Sequence, residues 1–297
     1  MRFIINLVFF LGTCNVWAQD FKLAGVEYFT YPKVQAKDVG NQHQASFQEF
    51  GAYVFYPRKL KNDQTIIMNG IQYGFVQATS YNKKLSSQNT QDFHKIAYTF
   101  ILIHKFNEQW TLSGRLSPTL ASDFKDNLSG HDFILQGSII ASKRFNERVI
   151  AGAGLVYTTR LGKPMFLPGL QYQYKKCKHN LNVFIPAFFN YTYQVDSKEK
   201  LKVGFRIGLN GANFNASVNN YSKPAELDRL NYARANIGPV ISYQLTRMIQ
   251  IEAFGGISTM RMYQFEDTDK NIYKYNSKSG GFFNIGLGIT PPKRKLK

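Results

Sequence analysis

The sequence predicts an all-β fold: a transmembrane antiparallel up-and-down β-barrel of about 14 strands, or about 12 in a shorter alternative, after an N-terminal signal peptide. Three observations support this prediction. The chain begins with a short apolar segment of the export type. The remainder alternates apolar and polar residues with a period of two, and short turns alternate with longer polar connections.

The first segment, residues 1–18, is a predicted signal peptide. Arg2 precedes the apolar run 3–12, which is too short for a membrane helix because such a helix needs roughly 20 residues. Small residues follow, and we expect cleavage after Ala18. A lipid-modified Cys14 is the alternative. If Cys14 is removed, Cys177 alone remains and the mature chain can form no internal disulfide.

The charge of the chain indicates anionic partners. The formal net charge is +18, and the basic residues are spread along the sequence except for Lys293-Arg294-Lys295 in a tail at 291–297. An exported protein rarely meets nucleic acid, so we expect no nucleic-acid partner. The expected partners are outer-membrane lipid, lipopolysaccharide, the barrel-assembly machinery and small anionic solutes. A solvated basic surface is the alternative.

Residues 19–290 are predicted to form one barrel without a domain boundary. In residues 201–210, apolar side chains occupy the odd positions while Lys202, Arg206 and small residues occupy the even positions, which gives the strand one apolar and one polar face. The same pattern predicts strands at 22–31, 45–57, 64–78, 93–105, 109–118, 132–145, 148–158, 165–175, 180–185, 188–194, 200–213, 234–245, 248–262 and 280–289.

Turn signals predict which connections share a rim of the barrel. The tripeptide Phe-Asn-Glu occurs at 106–108 and at 145–147, and 245–248 resembles a third short turn. Long polar connections are predicted at 33–43, 80–92, 120–131, 214–233 and 263–279. In outer-membrane barrels the short turns are periplasmic and the long loops extracellular, so an even strand number places both chain ends in the periplasm.

Alternation alone does not separate a membrane barrel from a soluble β-sandwich or lipocalin-like barrel, in which the apolar side chains point inward. The signal peptide, the polar strand faces and an aromatic content of 15% favour a membrane, where aromatic girdles mark both interfaces. We therefore predict a location in the cell outer membrane. The aromatic residues expected near strand ends are Tyr28, Phe29, Tyr31, Phe55, Tyr56, Trp110, Tyr157, Tyr172, Tyr174, Tyr191, Tyr193 and Tyr243.

The polar strand faces hold the candidate functional residues. Such side chains would tune solute selectivity in an open lumen, or pair with one another in a plugged one. The sequence therefore indicates a passive channel or small-solute transporter. The alternative is a non-conducting structural, adhesion or envelope-interaction barrel, suggested by the long polar loops. The expected lumen-lining residues are Arg115, Gln136, Gln171, Gln173, Lys202, Arg206, Gln244, Gln250, Glu252 and Asn284.

Motifs for catalysis are weak, and we expect no enzyme, no cofactor and no metal site. The five His residues form no metal-ligand spacing, and neither a Gly-x-Ser-x-Gly elbow nor a phosphate-binding loop occurs. His131-Asp132 beside Ser129 is the nearest catalytic arrangement. Adjacent residues of a strand point apart, which argues against it.

Residues 164–214 carry the most distinctive sequence, with Pro168-Gly169-Leu170-x-Tyr172, Leu181-Asn182-Val183-Phe184-Ile185-Pro186, Phe188-Phe189-Asn190-Tyr191, Leu201-Lys202-Val203-Gly204-Phe205 and Gly211-Ala212-Asn213-Phe214. This segment resembles an uncharacterised family of Bacteroidota outer-membrane β-barrels, a domain of unknown function. The resemblance implies a barrel, its location and a tight hairpin at Ile185-Pro186, but no activity. The end departs from many such barrels, because Pro291-Pro292-Lys293 follows the last strand where an aromatic residue is usual.

Overall fold

The computed structural model describes residues 22–37, 43–82, 86–198, 200–217, 227–267 and 269–291. The predicted signal peptide and residues 292–297 of the predicted tail lie outside the described residues. The described parts of the chain form fifteen β-strands and one 3-10 turn, η1 (Gly130–Asp132). The strands are β1 Ala24–Gln35, β2 His43–Lys59, β3 Thr65–Asn82, β4 Ser87–Lys105, β5 Trp110–Ser122, β6 Phe133–Arg144, β7 Val149–Thr158, β8 Met165–Lys176, β9 His179–Ile185, β10 Phe188–Gln194, β11 Leu201–Asn215, β12 Leu227–Gln244, β13 Ile249–Asp267, β14 Ile272–Lys274 and β15 Gly280–Ile289.

Fourteen of these strands close a ring, which confirms the predicted barrel. Strands β1 to β13 pair in sequence order, β13 pairs with β15, and β15 pairs back with β1. All pairings between ring neighbours are antiparallel. The three-residue strand β14 pairs only with the end of β13 and stands outside the ring. This extra strand, inside the connection predicted at 263–279, was not predicted.

The main differences from prediction lie at the long-loop rim, where several strands continue beyond their predicted ends. β3 extends to Asn82 and β4 begins at Ser87, so most of the predicted 80–92 connection is strand. Polar side chains pair across this hairpin: Gln77 Nε2 donates to Asp92 Oδ1 at 3.0 Å, and the Thr79 and Thr90 hydroxyls lie 3.2 Å apart. The backbone ladder continues here after the apolar alternation stops, and alternation was the signal used for prediction.

The opposite rim carries short turns built in one way. Asn107 Oδ1 accepts hydrogen bonds from two backbone N–H groups, those of Gln109 at 2.9 Å and Trp110 at 2.8 Å. Asn146 and Asn62 accept corresponding pairs in their own turns, and the Thr246 hydroxyl does so in the turn 245–248. A side chain that accepts from the backbone two and three residues ahead stabilises a tight turn. The repeated tripeptide therefore marks equivalent turns on one rim.

The outward face of the ring is apolar and exposed. On β11, Phe205 is 40% exposed, and on β15 Leu287 is 45% exposed, while their sequence neighbours on the inward face are small or polar. A soluble barrel would hide these side chains inside, so the arrangement is that of a barrel whose outside contacts lipid. Among the described residues, no helix is long and apolar enough to cross a membrane.

The predicted girdle aromatics divide between the two faces. Tyr28, Tyr56 and Trp110 lie exposed on the outward face. The expectation was wrong for Phe29, Tyr31 and Phe55, which lie on the inward face. Each is an odd number of residues from the outward-pointing Tyr28 or Tyr56, and an odd step along a strand reverses the face. Tyr31 is fully buried in the interior.

The interior of the barrel is packed in the half next to the long-loop rim. We call this packed region the lumen plug, and it contains Tyr31, Phe47, Phe93, Phe214, Tyr232 and Tyr263. Its side chains come from strands that are not neighbours: the rings of Phe93 on β4 and Phe214 on β11 lie 5.3 Å apart, and those of Phe47 on β2 and Tyr263 on β13 lie 4.4 Å apart. A backbone bridge between Ser122 and Asn215 joins β5 to β11 at the same end. Opposite walls therefore meet and fill this half of the lumen.

Candidate functional site

The structure places each predicted lumen residue on a strand face opposite the apolar outer face. Gln171 and Gln173, for example, alternate on β8 with the exposed Leu170 and Tyr172. Arg115 alternates on β5 with the exposed Leu116. The remaining members follow the same register, namely Gln136, Lys202, Arg206, Gln244, Gln250, Glu252 and Asn284.

Two of these residues form the centre of an ion-pair group. Arg206 Nη1 donates to Glu252 Oε1 at 2.9 Å, and Lys22 Nζ lies 3.5 Å from the same oxygen. The Ser242 hydroxyl donates to Glu252 Oε2 at 3.0 Å, while Arg206 Nε donates to Asn190 Oδ1 at 3.1 Å. Sequence reasoning missed Lys22, Asn190 and Ser242. Asn190 and Ser242 share the polar faces of their strands, but nothing local indicates which acid they face.

The other predicted lumen residues that form hydrogen bonds do so away from the ion-pair group of Arg206 and Glu252. Gln136 Nε2 donates to the Thr159 hydroxyl at 2.8 Å, and Gln244 Nε2 donates to the Thr290 hydroxyl at 3.2 Å. Asn284 Nδ2 donates to the backbone oxygen of Tyr28 at 3.1 Å. The predicted residues are therefore distributed over the inner wall and do not form one site.

Basic residues are concentrated at the mouth of the lumen on the short-turn rim. Lys105, Arg144 and Lys175 occupy equivalent places near the ends of their strands: each backbone N–H donates, at 2.8–2.9 Å, to a carbonyl oxygen just before the preceding strand begins. Their side chains share the inward face of their strands. A like-charged mouth raises the local concentration of anions.

A second basic group lies deeper, and we call it the cationic cluster: Lys95 on β4, Arg115 on β5 and Arg160 in the β7–β8 connection. The three side chains are near enough to interact electrostatically with one another. Arg160 Nη1 donates to the backbone oxygen of Leu209 at 3.0 Å. Within the part of the chain that the structure describes, the side chains of Lys95 and Arg115 have no hydrogen bond or ion pair. Prediction from sequence found Arg115 only.

The lumen beside this cluster is accessible to solvent and has free space. Arg115 and Arg160 are exposed to solvent although both side chains belong to the interior of the barrel. Gly208 also faces inward, between Phe188 and Asn236, and a Cβ added there would meet nothing within 4 Å. We call the solvent-accessible, basic part of the lumen below the plug, beside Arg115 and Gly208, the vestibule.

A buried ion pair connects two walls of the plug. Arg234 on β12 is fully buried and pairs with Glu49 on β2, and its guanidinium lies 3.6 Å from the centre of the Tyr31 ring. Asn210 Nδ2 donates to Glu49 Oε2 at 2.9 Å, and Asn236 Nδ2 donates to the Tyr31 hydroxyl at 2.8 Å. Because β2 and β12 are not neighbours in the ring, these contacts cross the lumen.

The residues nearest to a catalytic arrangement have structural roles. Ser129 caps η1, with its hydroxyl accepting from the His131 backbone N–H at 3.2 Å. The Asp132 carboxylate accepts from the Ser129 N–H at 2.6 Å and from Asn215 Nδ2 at 2.9 Å, which ties η1 to β11. Burial raises the pKa of Asp132, but these hydrogen bonds, with one from Ser122, outweigh it and hold the pKa below its usual value. No group of three or more His, Cys, Asp or Glu in the described ranges could hold a metal ion.

A cavity of about 330 Å³ lies on the outward face of the barrel wall. Phe133, Tyr157, Lys163, Asn213 and Arg229 contribute to its lining. Phe133, Tyr157 and Asn213 belong to the outward faces of their strands. The cavity is therefore separate from the vestibule.

The closed ring, its apolar outside and its polar vestibule define the class of protein as a membrane-spanning β-barrel. The chain belongs to the domain of unknown function DUF6268, whose family model matches residues 15–290. No curated protein matches the chain in sequence.

Several solved barrels are similar in architecture. One is an outer membrane channel from Pseudomonas putida F1, 10% identical, with 93% of this chain and 99% of that chain covered at a TM-score of 0.49. A TodX mutant, a monoaromatic hydrocarbon channel, is 10% identical over 91% and 89% of the two chains, with a TM-score of 0.45. The translocator domain of the autotransporter NalP from Neisseria meningitidis is 9% identical over 92% and 90%, with a TM-score of 0.42. Likeness at this level does not transfer a function to this chain.

Proposed function

We propose that the protein is a channel or transporter of the outer membrane for small solutes, with its short-turn rim in the periplasm. The observation that carries this proposal is the solvent-accessible vestibule, with exposed Arg115 and free space beside Gly208 inside the ring. A barrel that served only as a structural anchor would gain stability from a packed interior throughout. A solvent-accessible, charged vestibule instead suits the entry of a solute.

The lumen plug makes this a closed conformation. Aromatic rings from β2, β4, β11 and β13 occupy the half of the lumen next to the long-loop rim. Passage of a solute therefore requires the plug to move, which favours a gated or solute-triggered conductor over a permanently open pore. The Glu49–Arg234 pair is one contact that would have to break or shift.

The test is single-channel recording in planar bilayers. We expect the full-length wild-type barrel to be mostly silent, and the Phe93→Ala/Phe214→Ala variant to show stepwise conductance because two rings that meet across the lumen are removed. Ile207→Ala, on the outward face of β11, is the matched control and should remain silent. Heat-dependent mobility on gels reports that each barrel is folded. A milder Phe93→Ala variant is used if the double variant does not fold, and folded but silent plug variants would contradict the proposal.

The second candidate is a non-conducting structural, adhesion or envelope-interaction barrel. The observation that favours it is the same plug, whose buried side chains fill the lumen near the Ser122–Asn215 bridge. Under this alternative, plug variants lose stability and gain no conductance. Recording therefore separates the two candidates in one experiment.

The remaining expectations rest on the sequence and on the barrel class. We propose cleavage of residues 1–18, or lipidation at Cys14, during export, followed by insertion by the barrel-assembly machinery. Contacts with lipid and lipopolysaccharide suit the exposed apolar outside and the +18 charge. A non-enzymatic role and a Bacteroidota source stay predictions.

A further inference from the structure

We propose that Lys95, Arg115 and Arg160 form a binding site for the carboxylate or phosphate groups of small solutes, directly below the lumen plug. This inference rests on the proposed channel function and deepens it, because it names the chemical class of the solute and the residues that hold it.

Like charge is concentrated in the cationic cluster. Lys95 and Arg115 come from the neighbouring strands β4 and β5, and the fold of the barrel adds Arg160 from the β7–β8 connection. Positive side chains that are near enough to interact repel one another, and the repulsion is stronger where water is partly excluded. An anion among them would remove that repulsion, so the cluster is arranged for a counter-charge.

The carboxylates near the cationic cluster are too few to balance its positive charge. Among the described residues, Lys95 and Arg115 pair with no carboxylate. Glu27 interacts electrostatically with Arg160, and also with Lys22 and Arg206. Glu252 is already engaged by Arg206 and Lys22. The vestibule therefore has an excess of positive charge where the cluster lies.

The cationic cluster lies at the base of the lumen plug. Lys95 shares the inward face of β4 with Phe93, two residues nearer to the short-turn rim, and Phe93 belongs to the plug. An anion held by Lys95 would therefore lie at the base of the plug. The basic mouth formed by Lys105, Arg144 and Lys175 would attract the same anion towards it.

The chemical class follows from the side chains. Two guanidinium groups offer planar paired donors that match the two oxygens of a carboxylate or phosphate, and a lysine adds a compact charge. Three cations favour solutes with more than one negative charge. Chloride, which cannot accept two parallel hydrogen bonds in this way, is expected to bind more weakly.

The test is calorimetric titration of the folded full-length barrel in detergent at low salt, with citrate and inorganic phosphate as separate probes. We expect saturable binding that weakens as salt is added. Lys95→Gln, Arg115→Gln and Arg160→Gln should each weaken it by about tenfold, since one charged hydrogen bond is lost. Lys61→Gln removes one charge from an exposed position in the turn between β2 and β3 and is the matched control, expected to change affinity by less than about twofold. Tighter binding of phosphate than of citrate would assign the phosphate class, and the reverse order the carboxylate class.

Unchanged affinity in the three variants, or an equal loss in Lys61→Gln, would overturn the site. If Arg160→Gln fails to fold, Lys95→Gln decides, because among the described residues the Lys95 side chain makes no hydrogen bond that could be lost. The channel proposal fails separately. Binding without conductance in the plug variants would keep the site and refute the channel, whereas conductance without binding would do the reverse.

Discussion

At the scale of single residues, the most consequential feature is the buried pair of Glu49 and Arg234. Both side chains are removed from water, and the guanidinium also stacks against the Tyr31 ring. Buried charges are costly unless each keeps its partner, so the pair stabilises one arrangement of the plug more than it adds to total stability. Neither residue stands out in the sequence, because each is one polar residue on an inward strand face.

Removing one partner should therefore destabilise the barrel strongly. We expect Arg234→Met to lower the free energy of unfolding by about 3–5 kcal/mol, because it leaves Glu49 charged and unpaired. Glu49→Gln/Arg234→Met should recover much of that loss. Urea unfolding of the barrel in lipid vesicles measures both. If the double variant were as unstable as the single one, the loss would come from packing and not from charge.

At the scale of elements, a connection between η1 and the end of β11 closes the long-loop rim. The Asp132 carboxylate accepts from Ser129 and Asn215, and the Asp123 carboxylate accepts from the Ser217 hydroxyl at 2.6 Å. Together with the bridge to Asn215, these contacts hold β5 against β11 across the lumen. The β5–β6 connection thus belongs to the closure of the barrel and is not a free loop.

The lowered pKa of Asp132 predicts how this contact responds to acid. A carboxyl whose pKa is lower in the folded state than the usual 3.8 stabilises the fold above that pH. The contribution disappears as the pH falls through the lower folded value. We expect Asp132→Asn to be less stable than the wild type at pH 7 and nearly equal to it well below pH 3.8, by unfolding free energies measured across that range. A constant difference at all pH values would contradict the assignment.

At the scale of the whole molecule, the barrel has two unlike halves. The half next to the long-loop rim is packed across the lumen, and the half next to the short-turn rim contains the solvent-accessible, basic vestibule. Only a closed ring can produce this division, because the residues that fill or charge each half come from strands far apart in sequence. The division is what makes a gated conductor the best-supported function.

Substitutions at two glycines can test whether solutes pass along the inward face of the barrel. A Cβ added at Gly208 or at Gly114 would meet nothing within 4 Å, but Gly208 faces the vestibule and Gly114 faces outward. Both Gly→Leu variants should therefore fold. In the plug-opened background, Gly208→Leu should lower single-channel conductance, and Gly114→Leu should leave it unchanged. Equal conductance in the two variants would place the conducting path elsewhere.

Much of the barrel could be predicted because its signals are local. Successive side chains of a strand point to opposite faces, so a period of two marks each wall segment, and Asn107 and Asn146 mark equivalent turns through bonds two and three residues long. The ends of β3 and β12 could not be predicted, since backbone pairing continues there without apolar alternation.

The sequence by itself therefore determined the strand number, the direction of the faces and the rim that carries the short turns, because each depends on residues that are close in the chain. Only the tertiary structure decided that Phe93 meets Phe214, that Glu49 pairs with Arg234 and that Lys95 joins Arg115 and Arg160. These contacts depend on how the ring closes and how strands are staggered around it, which sets the heights at which distant inward residues face each other.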